Sequence, residues 1–100
     1  MNNALIKILS NFFESQPIDK AWIFGSYARS EENINSDIDI LVNFTFGARI
    51  SLLKYTHIVN ELQELTGKKV DMVENGQLKQ FALSEAEKNK ILIYERKAQR

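Results

Sequence analysis

The sequence predicts an α+β fold, a small mixed β-sheet with helices packed on it. Three observations predict it. Residues 2–15 and 50–66 carry apolar side chains at three- and four-residue spacing, the period of an amphipathic helix. Residues 37–44 alternate, with Ile38, Ile40, Val42 and Phe44 on one side and Asp37, Asp39, Leu41 and Asn43 on the other, the period of a strand. A helical segment separates that strand from another at 68–74, and such a crossover can place the two strands next to each other.

The elements follow in order. In the first helix, 2–15, Leu5, Ile8, Leu9, Phe12 and Phe13 form the apolar stripe, with Lys7, Asn11 and Glu14 opposite. It ends near Gln16-Pro17, because the residue before proline disfavours the α region. A short strand is expected at 20–24, punctuated by Gly25; Ser26 to Ser30 can begin a helical turn, and 31–36 is a polar loop. The second strand is 37–44. In the helix 50–66 the predicted stripe is Leu52, Tyr55, Ile58, Val59, Leu62 and Leu65, and Gly67 is its natural C-terminal cap. The strand 68–74 carries Asp71 between Val70 and Met72, and Asn75-Gly76 reads as a turn. A further helix is expected at 78–90, with Leu78, Phe81 and Ala82 inward, then a last strand at 91–94 and a charged, fraying tail at 95–100. Trp22 and Phe24 are read as core or sheet cover, and His57 as a solvated helix-face residue.

One hundred residues correspond to one domain, 1–100, with little surplus for a second substrate-binding lobe. The 44% hydrophobic and 26% charged residues are those of an ordinary globular chain. Thirteen basic residues balance 13 acidic ones, which argues against broad nucleic-acid binding. There is no cysteine, so disulfides and thiolate metal sites are excluded. No apolar run approaches a membrane span, and Met1-Asn2-Asn3-Ala4 lacks the basic start of a signal peptide, so the cytoplasm is the expected compartment.

The chemistry concentrates in Asp37, Asp39 and Asp71. Aspartate is depleted in strands. Two carboxylates on one strand face repel each other unless a cation sits between them. A Gly-Ser turn whose backbone can approach phosphates, beside a carboxylate pair suited to Mg²⁺, is equipment for phosphoryl or nucleotidyl transfer.

Gly25-Ser26-Tyr27-Ala28-Arg29-Ser30, followed by Ser36-Asp37-Ile38-Asp39-Ile40-Leu41-Val42, resembles the signature of the polymerase-β-like nucleotidyltransferases. Val70-Asp71-Met72-Val73 is similar to the context of that family's third aspartate. The resemblance covers about residues 21–74, and the short length resembles the minimal nucleotidyltransferase branch. Ser30 stands where the family usually has glycine, and its small side chain keeps the site uncrowded.

The resemblance implies the following roles. Gly25 and Ser26 would receive the phosphates of a nucleoside triphosphate, most simply ATP. Arg29 would pair with a phosphate or a neighbouring carboxylate. Asp37 and Asp39 would ligate Mg²⁺, with two ions expected, and Asp71 would complete the second metal site or accept the proton. It also implies a helical HEPN-type toxin as partner, adenylylated on a tyrosine hydroxyl, with this chain as the antitoxin in a type VII-like pair. Two other functions stand beside it: a non-catalytic antitoxin that masks its partner, and a small-molecule nucleotidyltransferase whose cleft is completed by a dimer mate.

Overall fold

The computed structural model describes residues 3–25, 37–75 and 89–97. Its elements are α1 (Asn3–Glu14), β1 (Ile18–Phe24), β2 (Ile38–Phe44), α2 (Leu52–Thr66), β3 (Val70–Glu74) and β4 (Ile91–Glu95). The expected turn at Ser26 to Ser30, the loop 31–36, most of the helix 78–90 and the last three residues lie outside the described residues. The four strands form one sheet in the order β3-β2-β1-β4. β1 pairs antiparallel with β2 and with β4, whereas β2 and β3 run parallel, joined through α2. The sheet is therefore mixed, as the element order predicts.

One face of the sheet carries the core. Leu9, Phe12 and Phe13 of α1 and Ile58 and Leu62 of α2 cluster with Ala21, Ile23, Ile38, Ile40, Val42, Val70, Met72 and Ile93. Strand alternation sends the intervening side chains to the opposite face. Trp22 and Leu41, cross-strand partners there, are also buried. The Lys90 ammonium lies 4.5 Å from the centre of the Trp22 ring, a cation–π contact.

Three apolar positions depart from the expected stripes. Ile8 is 40% exposed, and Ile6 packs against the core instead. At about 100° per residue, Ile8 points away from the Leu9–Phe13 side while Ile6 flanks it. Leu52 and Leu65 are 81% and 51% exposed because they occupy the terminal turns of α2, beyond the middle stretch that meets the sheet. Tyr55, Ile58, Val59 and Leu62 make up the working stripe.

α2 begins at Leu52 rather than residue 50, because Ser51 is its N-cap and its hydroxyl accepts the Lys54 N–H at 3.0 Å. Gly67 closes it in the left-handed conformation, φ 68°, donating its N–H to Gln63 O at 2.9 Å. The Gln63 side chain then accepts the Val70 N–H at 3.1 Å, fixing the start of β3.

β1 starts at Ile18, two residues earlier than expected. Asp19 belongs to it despite its charge, accepting a hydrogen bond from the Thr45 hydroxyl at 2.9 Å. β4 runs one residue past 94, and Glu95 pairs with Lys20 at 3.1 Å. Arg96, expected in a fraying tail, reaches back to the end of α1. Its guanidinium donates to the carbonyls of Gln16 at 2.7 Å and Ile18 at 3.1 Å, with longer contacts to Phe13 and Glu14. Phe13 and Glu14 close α1, so a cation at their carbonyls complements the helix dipole. No helix among the described residues is long and apolar enough to cross a membrane.

Candidate functional site

The site follows from strand register. In the parallel β2–β3 pair, Asp39 stands opposite Asp71. In the antiparallel β1–β2 pair, Phe24 stands opposite Asp39. Residues on one rung share a face, so Phe24, Asp39 and Asp71 form a row across three strands. Their neighbours Ile38, Ile40, Val70 and Met72 point into the helical core. The two aspartates therefore lie on the sheet face away from both described helices. Adjacent strands are about 4.8 Å apart, which lets two carboxylates serve one ligand.

Asp37 is exposed and precedes β2; it was expected as the strand's first residue. The Ile38 N–H, donating to Lys69 O at 2.9 Å, starts the ladder, and Asp37 falls outside it at the strand mouth. The structure thus brings Asp39 and Asp71 onto one rung and leaves Asp37 two residues ahead of them. Among the described residues, no three acidic, histidine or cysteine side chains converge into a ready-made metal cage. The donors present are carboxylate oxygens, the chemistry that hard cations such as Mg²⁺ take.

Gly25 ends β1 and turns the chain with φ +72°. A Cβ at this position would overlap a carboxylate oxygen of Asp39 and lie 3.1 Å from its Cγ. The backbone of the turn and the aspartate thus occupy adjoining space, which only glycine leaves open. Ser26, Arg29 and Ser30 lie outside the described residues.

Tyr55 is the site neighbour that pattern reading missed, since it reads simply as part of the α2 stripe. Burial raises its phenol pKa above the ordinary 10.0, and the negative charge of Asp71 raises it further. β3 is an edge strand, so a side chain from the helical face can feel a carboxylate on the other. His57 sits on the outer surface of α2, 2.5 Å from Glu61 one turn on, in keeping with a solvated helix face. Two shallow grooves, of about 680 Å³ beside His57 and Glu64 and about 500 Å³ beside Pro17 and Arg96, are lined by neither Asp39 nor Asp71.

Known proteins share sequence and fold with this chain. A Methanocaldococcus jannaschii protein named as a candidate protein adenylyltransferase is 50% identical over 56 residues, 56% of this chain and 58% of that relative. The chain spans less than two thirds of the length of that relative and of the next two. A crystal structure of a toxin–antitoxin with AMP-PNP superposes with a TM-score of 0.77 at 16% identity, over 91% of this chain and 73% of that one. A structure of the tri-AMPylated Shewanella oneidensis HEPN toxin in complex with its MNT antitoxin gives a TM-score of 0.62 at 18% identity, over 94% and 69% of the two chains. At these identities the structural likeness speaks for the fold. The polymerase beta nucleotidyltransferase family profile matches residues 3–99, almost the whole chain, and the chain belongs to that family.

Proposed function

We propose that this chain transfers AMP from ATP to a tyrosine hydroxyl of a helical HEPN-type toxin, and so acts as its antitoxin. The observation that carries the reading is the shared rung of Asp39 and Asp71, with the Gly25 turn against Asp39. The name of the Methanocaldococcus relative supports protein adenylylation, and the AMP-PNP and tri-AMPylated toxin complexes support an adenine nucleotide and a HEPN partner.

In this reading Asp37, Asp39 and Asp71 hold Mg²⁺, with two ions in the full site. The metal supplies charge neutralisation on the triphosphate and a lowered pKa for the attacking hydroxyl. Gly25, Ser26 and Arg29 orient the β- and γ-phosphates so that the α-phosphorus faces the acceptor. The phenolic oxygen bonds to the α-phosphorus, the α–β bridging bond breaks, and pyrophosphate leaves with the bond's electron pair. Asp71 takes the phenol proton.

ATP labelled at the α- or the γ-phosphate tests the reaction type. Nucleotidyl transfer moves only the α label onto the partner and releases the γ label in pyrophosphate. A γ label on the partner would mean phosphorylation and would overturn the proposal.

A further inference from the structure

We propose that Gly25 is a positioning residue for Asp39: the space where a Cβ would sit is the seat of the Asp39 carboxylate, held there for metal binding. This rests on the reading of Asp39 as a Mg²⁺ ligand and assigns Gly25 a second role beside phosphate contact. At Gly25 a Cβ would overlap an Asp39 carboxylate oxygen, come within 3.1 Å of Cγ and 3.4 Å of Asp39 Cβ, and these three atoms are its nearest neighbours. The seat is built by register, because Gly25 directly follows Phe24, the cross-strand partner of Asp39. A methyl group at residue 25 would push the carboxylate off the row it shares with Asp71.

Gly67 supplies an internal control. Its φ of +68° matches the +72° of Gly25, yet among the described residues nothing lies within 4 Å of where its Cβ would sit. Gly67→Ala therefore carries the left-handed backbone strain alone, and Gly25→Ala carries that strain plus the displacement of Asp39.

The experiment measures binding of a non-hydrolysable ATP analogue to the full chain with and without Mn²⁺. Gly25→Ala should lose the Mn²⁺-dependent gain in affinity by about 10- to 100-fold, as supporting residues of metal ligands do, beyond any loss it shows without metal. Gly67→Ala should keep the gain and the metal-free affinity. An equal loss with and without Mn²⁺, which leaves the gain unchanged, would mean a phosphate contact alone and overturn the proposal. Asp39→Asn separates the two layers: if it keeps the Mn²⁺-dependent gain, the metal reading itself fails and this inference with it.

Thermal midpoints keep the test decisive if Gly25→Ala folds poorly. In an Asp39→Ala background, Gly25→Ala should lower the midpoint no more than Gly67→Ala does, because the 3.4 Å contact left with the Cβ of residue 39 is an ordinary one. An equally large drop in both backgrounds would show that Asp39 is not what the methyl group meets.

Discussion

Asp71 bears on two neighbours, and each gives a test. Across the rung it faces Asp39, and its charge also reaches the Tyr55 phenol. The fold favours the neutral phenol, through burial first and the Asp71 charge second. The stability this gives is whole below the ordinary pKa of 10.0 and is lost as pH rises from there through the raised folded value. Denaturation midpoints followed across about pH 10, without added metal, should fall in the native chain and fall less in Tyr55→Phe. The same fall in both would show that Tyr55 is not the group responsible. The aspartates were legible in the sequence because carboxylates on strands need a reason. Tyr55 was not, because an aromatic at helical spacing gives no sign of the charge across the sheet edge. The Gly25 turn was legible as glycine before serine, but its contact with Asp39 depends on which strand lies opposite.

At the scale of elements, Arg96 ties the end of β4 to the junction of α1 and β1. It spans some eighty residues of sequence to bond the carbonyls of Phe13, Gln16 and Ile18. Arg96→Ala should lower unfolding stability by about 2 kcal/mol, the range for hydrogen bonds to a charged group. Arg96→Lys should recover only part of it, since one ammonium cannot span the same set of carbonyls. A denaturant midpoint unchanged in the alanine variant would contradict the latch. The elements themselves were readable from period and punctuation: α2 from its apolar spacing and Gly67, β2 from its alternation. Their ends were less so. Ser51, the second residue of the expected helix, is the N-cap of α2, and Asp19 and Glu95 extend strands because tertiary partners hold their polar side chains. Periodicity weighs every turn of a helix equally, whereas the sheet covers only its middle, which is why Leu52 and Leu65 are exposed.

At the scale of the molecule, the row that holds the two aspartates is a product of topology. Placing β2 beside β3 in parallel, and β2 beside β1 antiparallel, is what aligns Phe24, Asp39 and Asp71. The helix between β2 and β3 made their adjacency readable, and the two-residue spacing of Asp37 and Asp39 beside Ile38 and Ile40 made their face readable. The register was not: a one-residue slip would have sent Asp71 into the core, and burial of Val70 and Met72 in the helical core, with the Gln63 bond to the Val70 N–H, decides against it. The sheet divides the labour, with one face stabilised by helices and the other carrying the acids.

The central claim is that Asp39 and Asp71 act as a pair in adenylyl transfer. The most direct measurement is the intact mass of a HEPN-type partner after incubation with this protein, ATP and Mg²⁺, beside Asp39→Asn and Asp71→Asn. The native chain should add one or more adenylyl units. Asp39→Asn should add none while still binding the partner, and Asp71→Asn should slow transfer by about 10²- to 10⁴-fold, as loss of a proton acceptor does. Modification by Asp39→Asn at the native rate would contradict the account.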